Sequence, residues 1–220
     1  MKTFKVFDII GPDMIGPSSS HTAGAARIGK VACRMAGGEV AKAHITLYES
    51  FATTGRGHGT DKALLGGLLG FDQDDERLRD SFEIAKERGL EYEFEFSEDE
   101  APHPNTARIT VTGTNGQTVS LAAASVGGGN IKVIELDGME VSFQCDYPTI
   151  ILLYDDMPGI VQMTSTVLAK NDINIAFMRV FRQSKRMGAC MVIETDEPVS
   201  DKIADLIQGL LPEIRRIVII

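Results

Sequence analysis

Side chains able to do chemistry crowd first into Gly16-Pro17-Ser18-Ser19-Ser20-His21-Thr22-Ala23-Gly24, where a glycine-proline turn runs into three serines, a histidine and a threonine ahead of a segment of helical period. The first backbone N–H groups of a helix lack intrahelical partners, and the helix dipole adds partial positive charge there, so such a start can hold a carboxylate or phosphate. Hydroxyls and an imidazole around it would make a pocket for a small polar anion. Ser and Thr also cap helices with no ligand present, and both readings fit this stretch. A second stretch, Thr53-Thr54-Gly55-Arg56-Gly57-His58-Gly59-Thr60-Asp61, reads as a glycine-rich loop that again places a histidine before a helix start. Its glycines do not follow a dinucleotide fingerprint, and it lacks the Lys-Ser/Thr ending of a phosphate loop. Taken alone it is a flexible turn with an exposed His58. Two imidazoles on two similar loops make a shared polar pocket if the fold brings them together.

The elements that must position these residues follow from periodicity. Phe4 to Ile10 reads as a short strand broken by Gly11-Pro12-Asp13. Ala25, Ile28, Ala32, Met35 and Ala36 recur at helical spacing, with Arg27, Lys30 and Arg34 on another side and Gly37-Gly38 as the stop. Ala43 to Ser50 reads as a strand in which His44 is a surface or core residue. Leu64, Leu65, Leu68 and Leu69 form the stripe of a second helix, where Gly66 and Gly67 permit a neighbour's close approach. Asp75 to Arg88 fits a third helix. Strict alternation over Glu91 to Phe96 sets Tyr92, Phe94 and Phe96 towards a core and the glutamates towards water. Asn115-Gly116 and Asp137-Gly138 each centre a hairpin, and Gly127-Gly128-Gly129 between them is either a close approach to a ligand or a loose connection.

The pattern changes near Cys145-Asp146-Tyr147-Pro148. Strand Thr149 to Tyr154, a helix from Pro158-Gly159 with Ile160, Met163, Val167 and Leu168 inward, strands Ile173 to Arg182 and Met187 to Glu194, a helix from Ser200 with Ile203, Leu206, Ile207 and Leu210 at helical spacing, and strand Ile214 to Ile220 complete the chain. That order is βαββαβ, the split ferredoxin-like unit. The fold class is therefore α+β.

Composition excludes several functions. A chain of 220 residues with 43% hydrophobic and 24% charged residues is that of a globular protein. A net charge of -9 argues against nucleic-acid or anionic-membrane partners, which need clustered Lys and Arg. No apolar run is long enough to span a bilayer and the first residues lack a signal-peptide core, so a cytoplasmic location is expected. Cys33, Cys145 and Cys190 are odd in number and widely spaced, which indicates neither a disulfide framework nor a zinc or iron-sulfur motif.

Two stretches resemble known families. Asp156-Met157-Pro158-Gly159-Ile160, with Asn174-Ile175-Ala176-Phe177-Met178-Arg179-Val180 and the hairpin that follows, looks like an ACT domain, a module that often binds amino acids and often dimerises. The serine-histidine stretch, together with Thr54 to Asp61, His103-Pro104-Asn105 and Gly127-Gly128-Gly129, resembles the beta chain of bacterial iron-sulfur-dependent L-serine dehydratase, and the likeness covers essentially the whole chain. It implies an N-terminal mixed α/β domain, like the allosteric substrate-binding domain of some phosphoglycerate dehydrogenases, over 1–147, followed by an ACT domain over 148–220.

The resemblance also implies an enzyme that converts L-serine to pyruvate and ammonia with a 4Fe-4S cluster ligated by the partner alpha subunit, so that no metal ligand is expected here and the chain alone is inactive. Either His21 or His58 would be the acid-base residue. Ser18, Ser19, Ser20, Thr22, Gly24, Thr60, Asp61, Asn105 and Gly128 would contact substrate, and Asp156, Met157, Pro158, Gly159 and Asn174 an effector. Self-association through the ACT domain is expected. The alternative role is a non-catalytic regulatory subunit that senses serine or another small amino acid, or an ACT module that only dimerises.

Overall fold

The computed structural model describes residues 12–184 and 187–220, so the strand read over Phe4 to Ile10 lies outside the described residues. The helix after the serine cluster, α1 (Ala25–Met35), buries Ala25, Ile28, Ala32 and Met35, the positions of the helical stripe, and leaves Arg34 in water. It ends at Gly37 and Gly38, both at positive φ, where the Gly38 N–H returns to the Cys33 carbonyl at 2.9 Å. Strand β1 (Val40–Leu47) follows, with Ala43, Ile45 and Leu47 buried. The expected strand stopped at Ser50, whereas Glu49 and Ser50 already belong to the next helix.

That helix corrects the reading of the second histidine stretch. Thr53 to His58 is not a loop but the body of α2 (Glu49–His58), which turns at Gly59, φ 71°, directly into α3 (Thr60–Leu68). Two glycines cost a helix about 1 kcal/mol each, which is why the sequence reads as a loop. Tertiary packing overrides that cost: Phe51 is fully buried, and Gly55 lies so close to Thr60 that a Cβ there would stand 3.2 Å from the threonine Cβ. The entry from β1 is strained as well. Glu49 sits at φ 40°, left-handed for a non-glycine residue, and its carboxylate accepts the Ala101 N–H at 3.0 Å.

α1 and α3 cross backbone to backbone. A Cβ at Gly29 would lie 2.2 Å from the Leu64 carbonyl oxygen, and one at Gly67 would lie 2.1 Å from that of Ala26. After α3 the expected single helix over Asp75 to Arg88 is split into a 3-10 turn at Glu76–Asp80 and α4 (Ser81–Glu87). Its start is fixed by Asp75, whose carboxylate accepts the Arg77 N–H.

Five further strands follow: β2 (Glu91–Phe96), β3 (Thr106–Gly113), β4 (Thr118–Gly127), β5 (Asn130–Leu136) and β6 (Met139–Phe143). The sheet order is β2-β1-β3-β4-β5-β6, with β2 parallel to β1 and β1, β3, β4 and β5 successively antiparallel. Because β2 is the edge, its aromatic face is not a core face: Tyr92 is 37% exposed and Phe94 and Phe96 are half-buried. Those rings pack instead on Phe82 and under the Arg56 guanidinium. On the polar face, Arg108, Ala122 and Glu135 form one row across β3, β4 and β5, and the small alanine lets the outer two pair as a bidentate salt bridge.

The chain divides into two units, Met1–Gly138 and Met139–Ile220. The second carries β7 (Thr149–Asp155), α5 (Ile160–Lys170), β8 (Ile175–Arg182), β9 (Gly188–Thr195), α6 (Asp201–Leu210) and β10 (Ile214–Ile219), with sheet order β10-β7-β9-β8, all antiparallel. This is the ferredoxin-like βαββαβ unit read from the sequence. Ile160, Val167 and Leu168 of α5 join its core, as does Ile207 of α6. Leu206 and Leu210 of α6 are 45% and 48% exposed.

Candidate functional site

The serine cluster is a π-helical turn, Ser19–Gly24, that runs straight into α1. Ser18 caps it in extended conformation: its hydroxyl accepts the His21 N–H at 3.1 Å and its carbonyl accepts the Thr22 N–H at 2.8 Å. Capping therefore occupies one serine, while Ser19 and Ser20 lie half-buried on the same turn. His21 points away from the cap towards the first turns of α2. Its Nε2 lies 3.2 Å from the Ser50 hydroxyl and 3.0 Å from the Thr54 hydroxyl, and its ring meets the edge of Phe51 at 5.3 Å.

His58 joins the same cluster from the other end of α2. The two imidazole centroids are 4.9 Å apart, and the Thr22 hydroxyl donates to the His58 carbonyl at 3.3 Å. The His58 Nδ1 lies 3.0 Å from the Thr54 carbonyl oxygen. A carbonyl can only accept, so Nδ1 carries the proton and a neutral ring keeps its Nε2 lone pair open. The helix that the sequence hides is thus what sets the second histidine beside the first: residues 50, 54 and 58 fall on one face of α2.

Around this pair the remaining site residues sort by distance. The Ser50 N–H donates to the Pro104 carbonyl at 2.9 Å, which docks α2 against the His103-Pro104-Asn105 turn. Asn105 donates its N–H to His103 Nδ1, accepts the Ser125 N–H, and keeps a buried side-chain oxygen without a partner. Ser125 is fully buried against Gly24, where a Cβ would fall 2.1 Å from the serine oxygen, so Gly24 is required by packing. Thr60 is fully buried at the start of α3, and Asp61 accepts its neighbour's Lys62 N–H. Gly127, Gly128 and Gly129 make the tight β4–β5 turn, all at positive φ; the Gly129 carbonyl accepts from Arg27 at 3.0 Å while Gly128 is exposed. A cleft of about 440 Å³ opens beside the pair, with Thr22, His58, Lys62 and Arg79 among the residues of its wall.

Burial holds His21 below its ordinary value of 6.5, and the neighbouring His58 pushes it the same way, against a hydrogen bond to the Ser50 backbone. Below about pH 6.5 the unfolded chain takes up a proton at His21 that the folded chain refuses, so stability rises with pH across that interval and is lost as pH falls through it. Thermal melts at about pH 7.5 and 5.5 are therefore expected to show a smaller acid-induced drop in His21→Gln than in the parent chain. Equal drops would mean that the ring titrates alike in both states.

Comparison with known proteins decides what this arrangement belongs to. A family profile described as serine dehydratase beta chain matches residues 3–88. The probable L-serine dehydratase beta chain of Bacillus subtilis is 45% identical over 210 residues, 96% of this chain and 95% of the relative. The L-serine dehydratase beta chain of Peptoniphilus asaccharolyticus is 36% identical over 211 residues, again 96% and 95% of the two chains. This chain belongs to the serine dehydratase beta-chain family. It is accordingly a subunit of a lyase. A D-3-phosphoglycerate dehydrogenase of Bacillus subtilis is also similar, 32% identical over 123 residues that make up 54% of this chain and 23% of that enzyme.

An iron-sulfur context accompanies that family. A 4Fe-4S cluster takes four thiolates, and this beta chain has three cysteines, of which Cys33 and Cys190 are buried in separate units and Cys145 is half-buried. Among the described residues no group of three or more His, Cys, Asp or Glu side chains could hold a metal ion. The donor set does not fit a cluster.

In the ferredoxin-like unit the beta chain separates the residues read as an effector site. Asp156, Met157, Pro158 and Gly159 follow β7 at the sheet end where Arg182 reaches the Asp156 carboxylate at 3.3 Å. Asn174 precedes β8 at the opposite end, tied to Asp196 at 2.6 Å and Glu197 at 2.9 Å. The register, with Asp155 opposite Gly188 and Ile175 opposite Thr195, keeps the two groups a strand length apart.

Sequence reasoning missed Ser50, Thr54 and Ser125. Ser50 and Thr54 share the spacing i, i+4, i+8 with His58, a signal visible once the segment is taken as helix. No comparable signal marks Ser125, which meets Gly24 across 101 positions of chain.

Proposed function

We propose that this chain supplies the proton-transfer wall of an L-serine dehydratase active site completed by an alpha subunit. The observation that carries the reading is the His21–Thr54–His58 network, which shares His58 with the wall of a cleft beside a serine-rich helix start. Elimination of water from serine breaks the Cα–H bond and the Cβ–O bond. The open Nε2 of His58 takes the Cα proton, the electron pair becomes the Cα=Cβ bond, and hydroxide leaves Cβ. The same imidazolium returns its proton to the departing hydroxide as water, so the ring ends as it began. The 2-aminoacrylate product tautomerises to the imine and hydrolyses to pyruvate and ammonia.

Backbone N–H groups of the π-helical start, with Ser19, Ser20 and Thr22, hold the substrate carboxylate and ammonium groups. Burial and the neighbouring His58 lower the pKa of His21, which favours its neutral form beside the base. The 4Fe-4S cluster belongs to the alpha subunit, since the thiols of this chain do not suit it, and no step above runs through it.

The ferredoxin-like unit, taken as an ACT module over 148–220, serves self-association. Leu206 and Leu210 on α6, with Phe177 and Val180 on the edge strand β8, leave apolar surface for a second copy. Effector binding would then need two copies, since one chain keeps Asn174 and Gly159 at opposite sheet ends. The expected location is the cytoplasm; among the described residues no helix is long and apolar enough to cross a membrane.

The test is reconstitution. This chain, mixed anaerobically with a cluster-loaded alpha subunit, is expected to release pyruvate from L-serine, while neither chain does so alone. Full turnover by the alpha subunit without this chain would overturn the catalytic reading and leave a regulatory one.

A further inference from the structure

We infer that Thr54 is the positioning residue that gives the two histidines opposite tautomers, and so different roles, in the site proposed above, on whose reading this inference rests. Three groups surround its hydroxyl: the Ser50 carbonyl oxygen at 2.8 Å, His21 Nε2 at 3.0 Å and the Ser50 hydroxyl at 3.4 Å. A hydroxyl has one proton and a carbonyl has none to offer, so the 2.8 Å contact consumes the Thr54 proton. What remains towards His21 is a lone pair. His21 must therefore present Nε2–H, shared between the Thr54 and Ser50 oxygens, the latter at 3.2 Å.

The same residue acts on the second ring through its backbone. Its carbonyl accepts from His58 Nδ1 at 3.0 Å, which places that proton on Nδ1 and leaves Nε2 unprotonated. One threonine thus fixes His21 as an Nε2–H donor locked into the α2 surface and His58, a residue of the cleft wall, as an Nε2 acceptor. The assignment breaks the symmetry of a histidine pair whose ring centroids are only 4.9 Å apart. Two rings with the same tautomer would compete for one proton-transfer role; two with opposite tautomers divide it. The α-helical geometry is essential, since residue 54 must reach the carbonyl four positions back and be reached by a side chain four positions ahead.

The test reads the rings directly and then the chemistry. In the full chain labelled with 15N-histidine, long-range 1H–15N spectra are expected to show His21 as Nε2–H and His58 as Nδ1–H, the two assigned by His21→Gln and His58→Gln. Thr54→Val removes the hydroxyl but keeps the β-branched shape and the carbonyl. It is expected to move His21 away from the pure Nε2–H form while His58 stays Nδ1–H, and Thr54→Ser should restore the parent spectrum. In the two-chain enzyme Thr54→Val is expected to lower kcat roughly ten- to a hundredfold, as loss of an orienting partner does at comparable sites, with KM little changed and recovery in Thr54→Ser. A parent His21 in the Nδ1–H form, or a Thr54→Val spectrum identical to the parent's, overturns the inference. Tautomers that respond as stated while turnover does not would instead overturn the catalytic reading of the histidines.

Discussion

Replacing His58 by Asn in the assembled two-chain enzyme is expected to lower kcat by roughly two to four orders of magnitude, the span typical for loss of a general base. Asn keeps a donor near the Nδ1 position, so the bond to the Thr54 carbonyl can persist, but it offers no imidazole Nε2. Of the two rings, His58 is the exposed one at the cleft wall, whereas His21 is half-buried with its Nε2 held by Ser50 and Thr54. His21→Asn should therefore cost less in kcat than His58→Asn. Stopped assays of pyruvate release, with circular dichroism to confirm folding, check both. The reverse order of losses would transfer the base role to His21, and undiminished turnover in both would remove proton transfer from this chain.

The second large effect concerns the scaffold. Gly67→Ala places a methyl group 2.1 Å from the Ala26 oxygen, 2.7 Å from the Lys30 nitrogen and 2.9 Å from the Gly29 Cα. All three are backbone atoms of α1, so no side chain can rotate away and the two helices must separate. Overpacking of this kind costs about 3 kcal/mol, which for a chain of this size lowers the melting temperature by roughly 6–12 °C. Because α1 continues the π-helical turn and α3 follows His58, the separation should also loosen the histidine pair. Gly57→Ala is the control: nothing lies within 4 Å of its new methyl group, and α2 should gain a few tenths to about 1 kcal/mol. Calorimetric melts of both variants compare the two; equal melting temperatures would show that α1 and α3 yield without cost.

Much of this architecture was written in local sequence. The stripe from Ala25 to Met35, the Asn115-Gly116 and Asp137-Gly138 turns, and the βαββαβ order of the second unit are features of period and turn chemistry, which act between residues a few positions apart. The serine-histidine stretch also announced itself by composition, and its family likeness extended over nearly the whole chain. Where local preference and packing disagree, the sequence misleads. Gly55 and Gly57 argue for a loop, yet Phe51 and the Gly55–Thr60 contact hold the segment as α2. Tyr92 alternates as if towards a core, yet β2 is an edge.

The site itself belongs to the tertiary structure. His21 meets Ser50 and Thr54 across 29 and 33 positions, and Gly24 meets Ser125 across 101. Such contacts depend on how α1, α3 and the sheet pack, which no local pattern encodes. The sequence by itself determined that two histidines, a cluster of hydroxyls and a helix start were present. Only the fold decided that the second histidine rides on a helix, that Thr54 meets both rings, and that His58 belongs to the cleft wall while His21 is held against Ser50, Thr54 and Phe51.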